Sequence, residues 1–157
     1  MRQCTLVFLN KPDEQKILLA MKKRGFGVGK WNGVGGKLNI NETIKEAAIR
    51  ETHEEIATKI DSEDLVNVAV IDFYFEGKKE FDQQVHVFFT EKWQGDPTES
   101  EEMKPEWYSY SNLPFDKMWI DDIHWLPRVI SGEKIKAKFV FDESGSRILS
   151  KKIDILE

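Results

Sequence analysis

The sequence has little cysteine and no long apolar segment. Cys4 is the single cysteine among 157 residues, so the chain cannot form an internal disulfide bond. No stretch approaches the roughly 20 apolar residues that a membrane-spanning helix requires, and the apolar run near the N-terminus is too short for the core of a signal peptide. These absences argue against a disulfide-rich secreted scaffold and against a membrane partner. We therefore expect a cytoplasmic protein.

Basic residues are not in excess either. The chain has 23 Lys and Arg against 28 Asp and Glu, which gives a net charge of −5. A protein that binds along the phosphate backbone of DNA or RNA would present a basic surface, so we expect no nucleic-acid polymer as a partner. A chain of this length can bury one core but not two. We expect a single domain over residues 1–157 that acts as a monomer.

The charges that are present are unevenly distributed along the chain. Five basic residues and no acid lie between Lys22 and Lys37, whereas the segment from Glu42 to Asp64 holds eight acids. This pattern fits a small anionic ligand held by cations and by metal-bound carboxylates. It also fits ordinary variation of surface charge, which is the simpler interpretation if charge alone is considered.

Apolar runs between turn-forming segments predict the order of the elements. Residues 5–10 and 16–23 form a first hairpin, residues 66–77 and 83–93 form a second strand pair, and a last hairpin turns at 143–146. A short strand is expected at 106–110 and a helix near 121–132. A glycine-rich loop holds six of the ten glycines, but it lacks the spacing of a Walker A or dinucleotide-binding motif. Strands and helices without regular alternation predict an α/β fold with a mixed sheet flanked by helices.

A crowded group of carboxylates marks the helix between the two strand pairs. Thr43 followed by Glu46 fits a capping box, so the helix is expected to begin there. Helical geometry then places Glu51, Glu54 and Glu55 together, on the side that also carries small apolar residues. Like charges at this spacing destabilise a helix, and a bound cation is one remedy. Hard oxygen ligands suit Mg²⁺, or Mn²⁺, although an ordinary glutamate-rich surface helix remains the alternative.

The spacing of these residues resembles a known signature. Gly36, Glu42 and "RETHEE" at residues 50–55 fill every charged position of the Nudix box, G-x5-E-x7-R-E-U-x-E-E-x-G-U, where U is a bulky apolar residue. Three weaker positions depart from it: Thr52, Ala57 and Thr58. The last glycine of the box is expected just after the helix, where a left-handed backbone costs alanine roughly 1 kcal/mol. The departure at Ala57 therefore bears on the loop after the helix and not on the metal ligands.

The resemblance extends over nearly the whole chain. "MKKRGFGVGKWNGVGGK" at 21–37 and "DKMWIDDIHWLP" at 116–127 are similar to two stretches of the oxidised-purine nucleoside triphosphatases, the eukaryotic-type MutT homologues of the Nudix family. That likeness implies an α/β/α sandwich in which the box forms a loop, a helix and a loop. It also implies Mg²⁺-dependent hydrolysis of an oxidised purine triphosphate, such as 8-oxo-dGTP or 2-hydroxy-dATP, to the monophosphate and pyrophosphate.

The resemblance also implies roles for individual residues. The metal ligands would be the carbonyl of Gly36 and the carboxylates of Glu51, Glu54, Glu55 and Glu102. Among the three catalytic glutamates of the helix, either Glu55 or Glu54 would be the general base that deprotonates the attacking water. Glu42 fits a structural or outer role, and Arg50 is expected to orient the glutamates.

Base recognition is expected from polar groups beside aromatic ones. Asn32, Asp121 and Asp122 would read the base, because vicinal aspartates in a confined pocket resist double ionisation and one can stay protonated as a donor. Trp119 would be the stacking platform. The remaining substrate-binding residues implied by the likeness are Thr5, Lys22, Phe26, Phe73, Gln83 and Trp125, and Gln83 replaces the usual methionine.

Two other functions are compatible with the sequence. The same fold and chemistry could act on another nucleoside diphosphate derivative, such as ADP-ribose or a dinucleoside polyphosphate. A non-catalytic nucleotide-binding module of the same family is the second alternative, although the intact glutamates speak against it.

Overall fold

A computed structural model describes residues 1–156 of the chain and contains eight strands and two α-helices within them. The strands are β1 (Arg2–Lys11), β2 (Lys16–Lys22), β3 (Trp31–Asn32), β4 (Val66–Phe75), β5 (Gln83–Thr90), β6 (Met103–Ser109), β7 (Lys134–Phe141) and β8 (Ile148–Leu156), and the helices are α1 (Ile44–Ile56) and α2 (Asp122–Ile130). The predicted hairpins, the strand pair and both helices are therefore confirmed, with bounds that shift by a few residues. None of the helices in residues 1–156 is long and apolar enough to cross a membrane.

The strands form a mixed sheet. Hydrogen bonds join them in the order β3-β2-β1-β5-β4-β7-β8, and β6 pairs with the free side of β2. The β1/β5 and β4/β7 pairs are parallel, whereas the other pairs are antiparallel. Parallel pairs need long crossover connections, and here the two helices lie in those connections.

The alternation of side chains along β1 shows how the layers are built. Val7 points to one face of the sheet, where it packs in a cluster with Ala48 and Ile56 of α1. Its neighbour Phe8 points to the other face and packs with Trp125 of α2, at 6.3 Å between ring centroids. Because successive strand residues face opposite ways, one strand serves both cores. The predicted α/β/α sandwich is confirmed.

The first two strands separate soon after their turn. β1 and β2 pair only at Asn10/Ile17 and Lys11/Lys16, and residues 31–37 then enter between them. This segment lies so close to β1 that a Cβ on Gly35 would come within 1.8 Å of the Thr5 carbonyl oxygen. Only glycine fits such an approach. The glycines of this segment therefore let the chain pass directly along β1 toward α1.

Helix α1 begins as the sequence predicts. The Thr43 hydroxyl accepts a hydrogen bond from the amide of Glu46 at 3.1 Å, and the Glu46 carboxylate accepts one from the amide of Thr43 at 2.9 Å. The helix ends at Ala57, whose φ of 57° lies in the left-handed region. The side chains at the other two departures from the box are fully buried, and their hydroxyls donate to carbonyls of the same segment: Thr52 to Ala48 and Thr58 to Ile56.

Replacing Ala57 with glycine is expected to stabilise the protein. The left-handed backbone at this position costs a residue with a Cβ roughly 1 kcal/mol, which glycine avoids. Thermal or denaturant unfolding should show a free energy of unfolding that is higher by about this amount. The matched control, Ala48→Gly inside the same helix, should act in the opposite direction. An Ala57→Gly protein no more stable than the wild type would contradict the assignment of strain.

Candidate active site

A cavity of about 510 Å³ opens beside the point where β1 and β2 separate. Ten of the residues lining it are the ten that the sequence analysis assigned to substrate binding: Thr5, Lys22, Phe26, Asn32, Phe73, Gln83, Trp119, Asp121, Asp122 and Trp125. They come from five strands, two loops and α2. The volume lies in the range of small-molecule binding sites.

Two adjacent aspartates form the most deeply buried polar part of the cavity wall. Asp121 and Asp122 are 3% and 2% exposed, and one carboxylate oxygen of Asp121 accepts a hydrogen bond from the indole N–H of Trp125 at 2.8 Å. The Oδ2 atom of Asp122 has no hydrogen-bond partner among residues 1–156. Burial, followed by the charge of Asp121, raises the pKa of Asp122 well above its usual range, and burial also raises the pKa of Asp121. The pair therefore favours a form that shares one proton.

Aromatic rings form the outer part of the cavity. Trp119 lies 5.2 Å from Phe26 between ring centroids, and the Lys30 ammonium lies 5.1 Å from the Trp119 ring. Phe26 is 63% exposed and stacks on Phe81 at 5.9 Å, so it forms a rim of the cavity. An exposed ring at a cavity mouth can cover a planar ligand without being part of the core.

Gln83 and Asn32 on the remaining walls are held by hydrogen bonds. The Cys4 thiol donates to the Gln83 side-chain oxygen at 3.2 Å, and the Asn32 side-chain oxygen accepts from the amide of Gly33 at 2.9 Å. The Gly33 bond fixes the direction of the Asn32 side chain at the cavity. The Gln83 amide is held at the wall by the thiol.

Arg50 connects three of the box glutamates. Its guanidinium donates two hydrogen bonds to Glu42 at 2.7 and 3.0 Å, one to Glu51 at 2.9 Å and one to Glu54 at 3.2 Å. A further bond of 3.1 Å reaches the carbonyl of Lys37. The bond from Arg50 lowers the pKa of Glu42. The Arg50 guanidinium thus binds three carboxylates at once, as expected of a residue that orients the glutamates.

Glu55 lies apart from this arginine. Its side chain is buried, with 7% of its surface exposed. Its Oε2 atom has no hydrogen-bond partner within the described part of the chain. Burial, followed by a hydrogen bond with Glu51 and the charge of that residue, raises the pKa of Glu55 to about 8.

These features fit a divalent cation. A buried carboxyl oxygen without a partner, next to a second carboxyl group, is a place where a cation removes both the desolvation penalty and the repulsion. The donor set consists of hard oxygen atoms, which divalent magnesium and manganese prefer. The backbone also leaves room, because a Cβ on Gly36 would come within 2.7 Å of the Glu51 carboxylate.

The carboxylates are nevertheless not gathered into a complete site. No three His, Cys, Asp or Glu side chains in residues 1–156 are grouped closely enough to hold a metal ion. The expectation that Glu54 shares the buried side of the helix is wrong, because its side chain is 58% exposed and turns to Arg50. Glu102 is also exposed and pairs with Arg24 at 3.3 Å. The Gly36 carbonyl accepts a hydrogen bond from the Thr5 amide at 2.9 Å.

Comparison with known proteins identifies the family. Residues 2–129 match the NUDIX domain. The chain belongs to the Nudix family. It is 41% identical over 153 residues to the oxidized purine nucleoside triphosphate hydrolase of Danio rerio, an alignment that covers 98% of this chain and 94% of that protein. The mouse protein of the same name is 43% identical over 142 residues, covering 90% of this chain and 88% of the relative.

Solved structures support the same Nudix fold. A MutT protein from Bacillus halodurans superposes with a TM-score of 0.82 at 21% identity, covering 98% of both chains. A NUDIX hydrolase from Nitrosomonas europaea gives a TM-score of 0.67 at 20% identity, over 90% of this chain and 78% of that one. The predictions of the Nudix family, its hydrolase class and its fold are confirmed. Nudix hydrolases generally require a divalent metal ion.

The structure also adds cavity residues that the sequence analysis missed. The most prominent are on the aromatic wall and beside Gln83: Cys4, Phe75, Phe81 and Phe141. Phe75 could have been found from its spacing, because it lies two residues after Phe73 and so faces the same side of β4. Cys4 and Phe81 had no such signal, since their approach depends on the pairing of β1 with β5 and on the loop before β5.

The buried aspartates make stability depend on pH. Because the pKa of Asp122 is raised in the folded state, the free energy of unfolding should fall as pH rises from about 4, the usual aspartate value, through the folded-state pKa. Asp122→Asn removes this loss, since its neutral amide can still donate to Asp121. The variant should therefore gain stability relative to the wild type as pH increases, as measured by urea unfolding across that range.

A control of opposite sign is available in the loop after β7. Partial desolvation raises the pKa of Asp142, but hydrogen bonds from the Arg147 backbone and from Ser144 and Ser146 outweigh it, so the pKa is lowered. The lowered pKa stabilises the wild type fully above about 4, so Asp142→Asn should lose stability relative to the wild type as pH rises toward about 4, and the difference should stay constant above that pH. Parallel pH profiles for the two variants would contradict the assignment of the raised pKa to Asp122.

Proposed function

We propose that the chain is a Mg²⁺-dependent hydrolase of oxidised purine nucleoside triphosphates, acting on substrates such as 8-oxo-dGTP and 2-hydroxy-dATP. The products are the nucleoside monophosphate and pyrophosphate, and the cellular role is removal of damaged nucleotides from the pool. The observation that carries this proposal is the buried pair Asp121 and Asp122 in a cavity whose wall also includes Gly36, which lies against Glu51 of the box. The names of the zebrafish and mouse relatives support it.

The aspartate pair suits an oxidised purine because it can both donate and accept. With one proton shared between Asp121 and Asp122, one carboxyl group donates a hydrogen bond while the other accepts one. Such a pair can read an oxo-purine edge in more than one tautomer. Asn32 offers an amide to the remaining edge, and Trp119 stacks on the base. The unpartnered Oδ2 of Asp122 is the atom that gains a partner when a base binds.

The triphosphate extends from this pocket toward α1. Four cationic side chains lie along the cavity wall: Arg2, Lys22, Lys30 and Lys37. Lys22 reaches the sugar or phosphate side of the substrate. The other substrate-binding residues of the cavity are Thr5, Phe26, Phe73, Gln83 and Trp125. The cations offset the charge of the substrate as it approaches the carboxylates.

Glu51, Glu54, Glu55 and Glu102, with the Gly36 carbonyl, would hold the Mg²⁺. When bound, the ion draws charge from the phosphates and lowers the pKa of a coordinated water. Glu55 is our preferred general base and Glu54 is the alternative. As the water oxygen bonds to phosphorus, its proton passes to the carboxylate, the bridging bond between the α and β phosphates breaks and pyrophosphate leaves. Arg50 fixes the orientation of the Glu51 and Glu54 carboxylates through its hydrogen bonds to both.

Two alternatives remain testable beside this proposal. A Nudix hydrolase of ADP-ribose or a dinucleoside polyphosphate would share the glutamates but would not need a proton-sharing acid pair in the base pocket. A non-catalytic nucleotide-binding module would not need an unpaired buried carboxyl oxygen on Glu55. We further propose that residues 1–157 form a single domain that works as a cytoplasmic monomer.

Glu55→Gln is expected to abolish turnover while nucleotide binding survives. The amide keeps the size of the side chain but cannot accept the proton of the water, so kcat should fall by about 10²-fold or more. Pyrophosphate release measures turnover, and calorimetry with a non-hydrolysable analogue measures binding. The exposed Glu63→Gln serves as the control and should behave like the wild type. Equal turnover in Glu55→Gln would remove Glu55 from the role of base.

Asp121→Ala and Asp122→Asn are expected to weaken discrimination between oxidised and ordinary purines. Losing one hydrogen bond to a charged group reduces the preference by about tenfold to a hundredfold. The measurement is kcat/KM for 8-oxo-dGTP, 2-hydroxy-dATP, dGTP and ADP-ribose, with and without Mg²⁺. A wild type that prefers ADP-ribose would favour the alternative substrate class. Unchanged selectivity in both variants would remove the pair from base reading.

A further inference from the structure

Two loops meet at the mouth of the cavity beyond the pairing of β2 with β6. That ladder ends at Lys22 opposite Met103. It continues one step further into the loops, because the amide of Lys23 donates to the carbonyl of Glu102 at 2.8 Å. The backbone of the glycine-rich loop after β2 is thereby hydrogen-bonded to the loop before β6 that carries Glu99, Glu101 and Glu102 (the acidic loop).

The side chain of Lys23 ties down the same acidic loop at two more points. Its ammonium donates to the Glu99 carboxylate at 2.6 Å and to the Ser100 carbonyl at 2.8 Å. The hydroxyl of Ser100 in turn accepts from the amides of Glu102 and Met103 at 3.3 and 3.1 Å. Lys23 therefore contacts the loop at Glu99, Ser100 and Glu102, which fixes the turn that carries Glu102.

Glu102 has little of its own to hold it in place. Its carboxylate is exposed and pairs with Arg24, whose side chain is also largely exposed. A single exposed ion pair orders a side chain weakly, whereas Lys23 combines its ion pair with a hydrogen bond to a backbone carbonyl of the loop. Yet the next residue, Met103, belongs to the same buried cluster as Ala48 and Ile56 of α1, so the end of this loop lies beside the catalytic helix. Its approach to that helix is set by the backbone of the loop, and the loop is set by Lys23.

We propose that Lys23 is a positioning residue for the metal site, acting through Glu102. Lys23 fixes the acidic loop before an ion binds, so Glu102 loses less conformational entropy when it becomes a ligand. This inference rests on the proposed role of Glu102 as a ligand. Outer residues that orient metal ligands commonly affect affinity by about tenfold or more.

The test measures metal binding directly, with Mn²⁺ as a paramagnetic probe in the absence of nucleotide. Electron paramagnetic resonance titration should show a Kd for Mn²⁺ that is about tenfold weaker in Lys23→Met than in the wild type. Lys104→Met is the matched control. Lys104 lies in β6 directly after the same loop, and its substitution removes the same charge. Its Kd should stay close to that of the wild type. Lys23→Arg, which keeps the charge and donors, should recover most of the affinity.

A double-mutant cycle separates positioning from a general effect on the fold. If Lys23 acts through Glu102, adding Lys23→Met to Glu102→Gln should weaken Mn²⁺ binding no further. Glu99→Gln, which removes the side-chain anchor while leaving Lys23 in place, provides a second variant and should shift the Kd in the same direction by a smaller factor. Thermal unfolding of each variant checks that the domain is folded.

Each contrary outcome has a distinct meaning. Wild-type affinity in Lys23→Met, with weakened binding in Glu102→Gln, would overturn the role of Lys23 alone. Equal losses in Lys23→Met and Lys104→Met, or a further loss in the Glu102→Gln background, would also overturn it. Wild-type affinity in Glu102→Gln would instead remove Glu102 from the ligand set, and the positioning role would fall with it.

Discussion

The close passage of residues 33–36 along β1 is the constraint on which the site depends. At Gly35 a Cβ would overlap the Thr5 carbonyl, and at Gly36 it would overlap the Glu51 carboxylate. Because no side chain separates them, the backbone of this segment has the cavity on one side and the glutamates of α1 on the other. The distance between the base pocket and the catalytic helix is thus set by a single layer of backbone. A larger residue at Gly35 would push this segment away from β1.

Several acidic side chains of the site are buried, where the charged form of a carboxyl group is disfavoured. Glu55 on one side of the glycine segment and Asp122 on the other are each buried with one oxygen that lacks a partner in residues 1–156. Both have raised pKa values, for the same reason of burial. Such groups lower the stability of the folded protein, and the two apolar clusters on either face of the sheet offset that loss. Under the proposed function, the nucleotide and the cation supply the missing partners.

Much of this arrangement could be predicted from the sequence, for identifiable physical reasons. Local signals gave the start of α1, because a capping box involves only neighbouring residues such as Thr43 and Glu46. The Nudix resemblance gave the fold and the ten cavity residues. The exposure of Glu54 and the pairing of Glu102 with Arg24 could not be predicted, because they depend on which cation each side chain reaches in space. The approach of Cys4 to Gln83 likewise depends on strand pairing between distant parts of the chain.

Arg50 illustrates how tightly the box residues are linked to one another. Its guanidinium divides its donors among Glu42, Glu51, Glu54 and the Lys37 carbonyl. A lysine has one point of charge and could not serve these acceptors simultaneously. These positions therefore cannot change one at a time during evolution: loss of the arginine leaves three anions repelling one another, and loss of any one anion redirects the donors that hold the rest.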